Sequence, residues 1–329
     1  MMLSKYIAPL VFFAGSLVSA QINATVFTNG TDTVSALLNT LWAEEYYSLV
    51  LSIVAVAENN TNFTEGILSA LQASGNLTLL APTNGAFVGV PANISSNTTE
   101  LQEVLEYHIL EGYYTAERVA AAAPGHTIAK TLLTGSYARL GSNLTQALVL
   151  FSNDTGGLEV AAPLKNITSR VASDFGDIHI IGLDEVLNLP LSLSQFAANA
   201  TPELTTLATS VGIVAPLEAI EGLTIFLPND AAVSNVSSII ASVNTSTAVT
   251  VLQNHFISGS VIYSTDIAAN LSLTANSFAG ESFTFSSSGN DTFVTSGNFT
   301  AKIVQADVII QNGVAHVIDA VLLNTETTI

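Results

Sequence analysis

The chain of 329 residues has no cysteine, one tryptophan, two methionines and only seven lysine and arginine residues. Without cysteine it can form no disulfide, thiolate nucleophile, iron–sulfur cluster or cysteine-ligated zinc site. Its formal charge is −19 at pH 7. Because seven basic residues are too few to neutralise many phosphates, we predict no nucleic-acid partner. Charged residues make up only 10% of the chain and hydrophobic residues 49%, which favours packed domains, about two for this length.

The first twenty residues have the pattern of a secretory signal peptide. Lys5 precedes an uncharged apolar run that ends near Leu17, and small residues follow as far as Ala20. The run is shorter than the roughly 20 apolar residues that a membrane-spanning helix needs. We therefore predict a signal peptide over residues 1–20. The C-terminal sequence AVLLNTETTI has only a short apolar piece, so we also predict no transmembrane segment and no lipid anchor.

Acceptor triplets for N-glycosylation are far more frequent than composition explains. Chance placement of the asparagines predicts about five Asn-x-Ser/Thr triplets. The sequence has sixteen, at Asn23, Asn29, Asn59, Asn62, Asn76, Asn93, Asn97, Asn143, Asn153, Asn166, Asn199, Asn235, Asn244, Asn270, Asn290 and Asn298. The excess predicts a heavily N-glycosylated, extracellular protein.

The chain contains two copies of one unit. Three segments recur in the same order, 137 to 147 residues apart: LTLLAPTNGAF as LTIFLPNDAAV, EYHILEG as QNHFISG, and IHIIGLDEVL as AHVIDAVLL. A fixed order and a nearly constant offset are typical of a tandem repeat. We place a first domain at residues 21–189 and a second at residues 190–329.

Local patterns predict helices before strands in both units. Apolar residues spaced along one face predict a helix that follows Thr31–Thr33 and another near residues 65–73, which ends at Gly75. In the second unit, helices begin near Pro202 and Pro216. Buried strands follow at residues 77–81 and 223–227. The C-terminal third is rich in β-patterns, with a hairpin at Asn312–Gly313 because both residues tolerate positive φ. The expected fold class is α+β.

The three recurrent segments resemble the conserved boxes of the fasciclin domain family. LTLLAPTNGAF and LTIFLPNDAAV match its first box, Tyr107–His108 its Tyr-His box, and NGVAHVIDAVLL at residues 312–323 its second box. The likeness covers nearly the whole chain after the signal peptide as two domains. It implies, in each domain, a β-sandwich or wedge with packed N-terminal helices, found in secreted or surface glycoproteins of adhesion, matrix and cell wall.

The resemblance also implies candidate interaction residues. These are the Tyr-His pair and an Asp-Ile pair that lies nine residues before the histidine of the second box. The first unit has Tyr107 and His108 but Arg170–Val171 in place of Asp-Ile, and the second has Asp307 and Val308 but Asn254–His255 in place of Tyr-His. We take Tyr107, His108, Asp307 and Val308 as candidate contacts, with packing as the alternative.

The sequence predicts no catalytic residue, no cofactor and no metal site. It has no GxSxG, HExxH, phosphate-binding or calcium-binding motif, and four of its five histidines occupy repeat-equivalent positions. We expect His179 and His316 to be hydrogen-bonded core residues, with Asp319 fixing the tautomer of His316. Asn84 and its counterpart Asp230 are expected to cap the helix that follows each first box.

The sequence therefore predicts a secreted, non-catalytic glycoprotein of cell adhesion or of extracellular-matrix or cell-wall organisation. Its expected partner is a cell-surface, matrix or wall protein, or a polysaccharide. One alternative is a carbohydrate-binding module acting on wall polysaccharide, which a single tryptophan supports weakly. Another is a developmental or stress-related ligand without an adhesive role.

Overall fold

The computed structural model describes residues 32–122, 125–141, 144–153, 156–162, 166–270, 272–288 and 291–323. The predicted signal peptide, residues 1–20, lies outside these ranges, as do the acceptors Asn23, Asn29, Asn143 and Asn290. Within them the chain forms two units, each with helices packed against a seven-stranded mixed sheet. The predicted α+β class is confirmed.

The first unit begins with three long helices and continues with strands and short helices. Its helices are α1 (Asp32–Ala43), α2 (Tyr47–Asn59), α3 (Thr61–Ser74), α4 (Ala92–Ser95), α5 (Thr98–Tyr107) and α6 (Ala116–Ala120). Its strands are β1 (Leu77–Pro82), β2 (Ile109–Glu111), β3 (His126–Lys130), β4 (Ala147–Ser152), β5 (Leu158–Ala161), β6 (Asn166–Phe175) and β7 (Ile178–Leu183).

The second unit repeats this order with shorter helices. Its helices are α7 (Leu193–Ala200), α8 (Pro202–Ser210), α9 (Val214–Ala219), α10 (Asp230–Asn235), α11 (Ser237–Ser242), α12 (Thr245–Gln253) and α13 (Ser264–Ala269). Its strands are β8 (Leu223–Pro228), β9 (Phe256–Ile257), β10 (Thr274–Asn276), β11 (Ser282–Ser288), β12 (Asp291–Ser296), β13 (Phe299–Ile310) and β14 (Gly313–Ile318).

Both sheets have the same topology. The strand orders are β2-β1-β7-β6-β5-β4-β3 and β9-β8-β14-β13-β12-β11-β10. The first and last strands of each unit pair in parallel, and the other pairs are antiparallel. The longest strand of each unit, β6 or β13, pairs on both sides and has a break in register, between Ser169 and Ala172 or between Ile303 and Val308. Such bulges bend a strand, which gives each sheet its wedge shape.

The central strands are buried on both faces, so alternate residues serve two cores. Leu79 of β1 packs under the helices, whereas Leu80 faces the wedge between the strands. Ile225 and Phe226 of β8 divide in the same way. Because successive side chains of a strand point to opposite faces, one apolar run can support both layers. This explains the continuous apolar letters of the first box.

The capping residues of the first box act on a different helix from the one predicted. Asn84 Oδ1 accepts a hydrogen bond from Ser48 N at 2.9 Å, and Asp230 Oδ1 accepts one from Glu203 N at 3.1 Å. These amides begin α2 and α8, whose own N-cap residues supply no side-chain bond. The prediction that Asn84 and Asp230 cap the following helix is therefore wrong. Their oxygens instead join each first strand to the preceding helical layer.

The hairpin between β13 and β14 forms at the predicted place, but its glycine serves another purpose. Gly313 has φ 156° and already belongs to β14. A Cβ at this position would lie 1.8 Å from the carbonyl oxygen of Leu223 in the neighbouring parallel strand. Both the positive φ and the close approach of β14 to β8 therefore require glycine here, within a strand and not in the turn itself.

We predict that Gly313→Ala abolishes stable folding of the second unit, because the methyl group and the Leu223 carbonyl cannot occupy the same space. The expected loss in the free energy of unfolding exceeds about 4 kcal/mol. Urea denaturation followed by circular dichroism measures it. The matched control is Gly66→Ala in α3, where a Cβ meets no atom within 4 Å. That variant is expected to gain about 0.5 kcal/mol, and equal behaviour of the two variants would contradict the explanation.

Candidate functional site between the two units

His108 closes the first unit around its last segment. The residue follows α5 and is only 1% exposed. Its Nδ1 lies 2.7 Å from the carbonyl oxygen of Val104, and its Nε2 lies 2.9 Å from the amide of Leu187. A carbonyl needs a donor and an amide needs an acceptor, so these contacts fix the neutral ring with its proton on Nδ1. The ring thus ties the segment after β7 to α5.

His255 repeats this arrangement in the second unit. Its Nδ1 lies 2.7 Å from the carbonyl oxygen of Val251, and its Nε2 lies 2.9 Å from the amide of Leu322. Burial lowers the pKa of each of His108 and His255 to about 4, against a smaller opposing effect of the carbonyl. Both rings are therefore neutral at physiological pH.

The residues before the two histidines differ, and each is satisfied in its own way. The Tyr107 hydroxyl donates to the carbonyl oxygen of Ala147 at 3.4 Å, and burial raises the pKa of this tyrosine. Asn254 Nδ2 donates to the carbonyl oxygen of Leu322 at 3.0 Å, and its Oδ1 accepts from Ser296 Oγ at 3.1 Å. Tyr107 is 6% exposed and Asn254 is fully buried. The structure thus shows packing contacts for the Tyr-His box, and a role for Tyr107 and His108 in partner contact stays a prediction.

Asp307 and Val308 lie at the bulge of β13. They are 4% and 5% exposed, so their role in partner contact also stays a prediction. Asp307 has φ 56°, and the amide of Asp307 donates to His316 Nδ1 at 3.2 Å. Arg170, nine residues before His179, occupies the corresponding place in the first unit, but its side chain points to solvent and pairs with Asp184. The side chain at the equivalent bulge position therefore faces solvent in the first unit and faces the other unit in the second.

A buried polar cluster joins the units through Asp307. His126 of β3 places Nε2 2.8 Å from Asp307 Oδ2, and the Ser264 amide donates to Asp307 Oδ1 at 2.7 Å. Ser264 Oγ contacts both His126 Nε2, at 2.9 Å, and Asp307 Oδ2. Burial alone raises the pKa of Asp307, but the hydrogen bonds from His126 and Ser264 and the nearby His316 ring outweigh it, so the net pKa is lowered. Asp307 is an anion held between the two units.

Serine, histidine and aspartate in contact invite comparison with a hydrolase triad, and the geometry does not fit. In a triad, one imidazole nitrogen contacts the carboxylate and the other contacts the nucleophile. Here Asp307 and Ser264 both contact Nε2 of His126. All three residues are also buried, Ser264 at 5% exposure. This arrangement binds the units together and provides no path for a proton from Ser264 to Asp307 through the ring.

Further contacts extend the interface on either side of the cluster. Arg139 Nη1 donates to the carbonyl oxygen of Glu218 at 2.6 Å, and its backbone amide donates to the carbonyl oxygen of Gln311 at 2.8 Å. The fully buried Gln146 donates from Nε2 to the carbonyl oxygen of Ile310 at 3.1 Å. An apolar cluster of Ala147, Val149 and Ile309 also spans the units. The two units are therefore packed against one another.

Between the units lies a cavity of about 300 Å³. Tyr107 of the first unit and Asp307 and Val308 of the second all line it, as does His126. Tyr107, from the Tyr-His pair of the first unit, and Asp307 and Val308 of the second unit therefore meet at the same cavity. Sequence reasoning missed His126, although it is the histidine without a counterpart in the other repeat. That asymmetry is the signal that sets it apart.

The protein-family comparison agrees with the repeat and with these boxes. The model described as "Fasciclin domain" matches residues 54–190 and 199–324. The chain belongs to the fasciclin domain family.

The chain is also similar to individual fasciclin-like proteins. A fasciclin-like arabinogalactan protein of Cercospora beticola is 28% identical over 275 residues, covering 78% of this chain and 70% of that protein. One of Phaeosphaeria nodorum is 25% identical over 264 residues, covering 78% and 81%. Among solved structures, a FAS1 domain pair from the insect cell adhesion molecule fasciclin I covers 87% of this chain and 98% of that chain, with a TM-score of 0.42 and 15% identity.

The remaining box histidines of the fasciclin units are core residues with partners. His179 Nδ1 lies 2.6 Å from Asp174 Oδ1. His316 Nε2 lies 2.9 Å from the carbonyl oxygen of Ile262. Asp319 accepts instead from the amide of Lys302, at 2.7 Å, so the expectation that Asp319 fixes the His316 tautomer is wrong. The Ile262 carbonyl and the Asp307 amide fix it with the proton on Nε2.

Most of the glycan acceptors whose side chains the structure describes lie on the surface of the two fasciclin units. The structure describes the side chains of eleven acceptor asparagines, and ten are exposed: Asn59, Asn62, Asn76, Asn97, Asn166, Asn199, Asn235, Asn244, Asn270 and Asn298. Asn153 is half-buried. Asn97 and Asn244 also cap α5 and α12, through Oδ1. Glycans attach to the amide nitrogen, so capping and modification are compatible.

The described residues contain neither a candidate metal site nor a candidate membrane span. No group of three or more histidine, aspartate or glutamate side chains there is arranged to hold a metal ion. Within the same ranges, every helix is too short or too polar to span a bilayer.

We predict that stability falls as pH is lowered from 6.5 toward 4, because unfolded histidine binds protons that the folded rings of His108 and His255 do not. The contribution is full above pH 6.5 and is lost progressively below it, up to about 3 kcal/mol for each ring. Urea midpoints measured across this range test it. The double variant His108→Gln and His255→Gln is expected to be less stable at pH 7 and to show a shallower decline. An equally steep decline in that variant would contradict the assignment.

We also predict that Asp307→Ala loosens the two units, because His126 and Ser264 lose their buried acceptor. The expected cost is about 3–5 kcal/mol. Fluorescence of Trp42 reports the first unit and circular dichroism reports both, so the two transitions should separate. The control is Asp291→Ala, which breaks an exposed pair with Lys302 and should cost less than about 1 kcal/mol. Equal losses in the two variants would show that Asp307 is no more important than a surface charge.

Proposed function

We propose that this fasciclin protein is secreted, heavily N-glycosylated and non-catalytic, and that it acts in cell adhesion or in the organisation of extracellular matrix or cell wall. The observation that carries the proposal is the exposure of ten acceptor asparagines distributed over both units. The names of the fungal relatives, which are fasciclin-like arabinogalactan proteins, support it. The expected partner is a cell-surface, matrix or wall protein, or a polysaccharide.

The physical role of the glycans follows from the composition. Only 10% of the residues are charged, so side-chain charge hydrates little of this surface. Large apolar side chains such as Val88, Phe278 and Val304 are exposed as well. Attached sugars are bulky and solubilising, and they also present hydroxyl groups to a polysaccharide network. Binding through exposed faces and glycans requires no catalytic centre.

The carbohydrate-binding alternative has one structural observation in its favour. Trp42 and Tyr47 form an edge-to-face pair with ring centroids 4.8 Å apart, and Tyr47 is 38% exposed beside Leu51, which is 41% exposed. Exposed aromatic rings bind the apolar faces of other molecules while their polar atoms stay hydrated. Such a patch suits a protein that binds a sugar directly through side chains.

We predict that the native glycoprotein partitions with the wall or matrix fraction and that enzymatic removal of N-glycans shifts it to the medium. The physical reason is that sugars, and not charged side chains, provide most of its hydrated contact surface. The measurement is the bound fraction on cell-free wall material before and after treatment, with a mock-treated sample as the control.

Three outcomes separate the interpretations. Loss of binding after deglycosylation supports the glycan-mediated role. Binding that survives deglycosylation and is lost in Tyr47→Ala, but retained in Phe278→Ala, favours the carbohydrate-binding module. Failure of the native glycoprotein to bind either cells or wall material overturns the adhesive proposal.

A further inference from the structure

The cavity between the units has the size and composition of a small-molecule site. Its volume of about 300 Å³ is at the lower end of ligand pockets and about twice that of an engineered cavity that binds benzene. Two other voids, in the helical layer of the second unit, measure only about 50 and 40 Å³. The cavity between the units is therefore large enough for a molecule of one or two rings.

The cavity has a buried apolar wall and a polar opening. Leu148, Val160 and Ile309 are buried lining residues. Asn166, Asn188 and Gln305, which also line it, are exposed amides and mark its open side. An apolar interior with a few polar groups is the arrangement that binding pockets have.

Two polar side chains that line the cavity, Asp307 and Tyr107, can accept further hydrogen bonds. Asp307 accepts three hydrogen bonds, one on Oδ1 and two on Oδ2, whereas a carboxylate has about four acceptor positions. The Tyr107 hydroxyl donates its proton to the carbonyl oxygen of Ala147, so its own oxygen can still accept a hydrogen bond. A ligand that donates a hydrogen bond fits both positions, and one that only accepts fits neither.

Negative charge around the opening likewise favours a ligand that donates hydrogen bonds. A larger groove of about 930 Å³ shares Ala162, Leu187 and Asn188 with the cavity, and Glu100, Asp184 and Glu185 line it. Arg170 pairs with Asp184. Asp307 in the cavity and Glu100 in the groove disfavour an anion and favour a neutral or cationic ligand.

We propose that the cavity between the two fasciclin units binds a small neutral or cationic molecule with an apolar body and a hydrogen-bond-donating end, a hydroxyl or an amine. The backbone supports this site, since Asp307 is held at positive φ in a bulge, and backbone of this kind clusters at ligand sites. The proposed binding does not depend on the adhesive role.

The test uses three probes with the same ring system and different ends: naphthalen-1-ylmethanol, naphthalen-1-ylmethanamine and 1-naphthoate. Each is titrated into the full secreted chain at pH 7 by calorimetry. The alcohol or the amine is expected to bind with one site per chain. The naphthoate is expected to bind at least about tenfold more weakly, because its carboxylate meets acceptors and negative charge.

Two variants locate the binding. Ala162→Phe fills the cavity from a half-buried lining position, and Asn188→Trp narrows it from an exposed one. Each should weaken the alcohol or the amine at least about tenfold. The control, Ala241→Phe on the exposed face of α11, should bind as the parent chain does. If Ala162→Phe does not fold, Asn188→Trp decides the result alone.

Two kinds of result overturn the proposal. The first concerns the probes: either neither the alcohol nor the amine binds at millimolar concentration, or the naphthoate binds as tightly as they do. The other is undiminished binding in a folded Asn188→Trp or Ala162→Phe variant. Neither result bears on retention by wall material, so failure of this proposal is distinguishable from failure of the adhesive one.

Discussion

Hydrogen bonding of buried polar side chains is the constraint that shapes this protein. A polar group removed from water without a partner costs several kilocalories per mole, so each one specifies where a neighbouring segment must lie. Among the described residues, Asn312 Oδ1 alone is a buried side-chain polar atom without a partner. His108 and His255 fix the closing segment of each unit. Asp307 and Gln146 fix one unit against the other.

The duplicated units show how one architecture carries two different surfaces. The repeat keeps the histidine after α5 or α12, the parallel pair of first and last strands and the bulged long strand. At the bulge the units diverge, since Arg170 faces solvent and Asp307 faces the other unit. Asymmetry at equivalent positions therefore places Asp307, but not Arg170, at the cavity between the two units.

Much of the fold follows from local patterns. Gly75 ends α3 in the left-handed conformation, with φ 72°, and Pro202 begins α8, both as predicted. Hydrogen-bond partners that are distant in the sequence were not predicted correctly. Asn84 and Asp230 have the side chains of helix caps, and the sequence pointed to the adjacent helix, whereas the accepted amides lie far back along the chain. A capping side chain can accept a hydrogen bond from the free amides at the start of a helix. Its position in the sequence does not show which helix supplies those amides.

The sequence by itself determined the repeat, the α+β class, the fasciclin family boxes and the density of glycan acceptors, because these depend on residue type and spacing. Only the tertiary structure showed that Tyr107, Asp307 and Val308 line one cavity and that His126 reaches Asp307. Those two residues are 181 positions apart and lie in different units. Their contact arises from the packing of one folded unit against the other, which no local pattern of apolar and polar residues records.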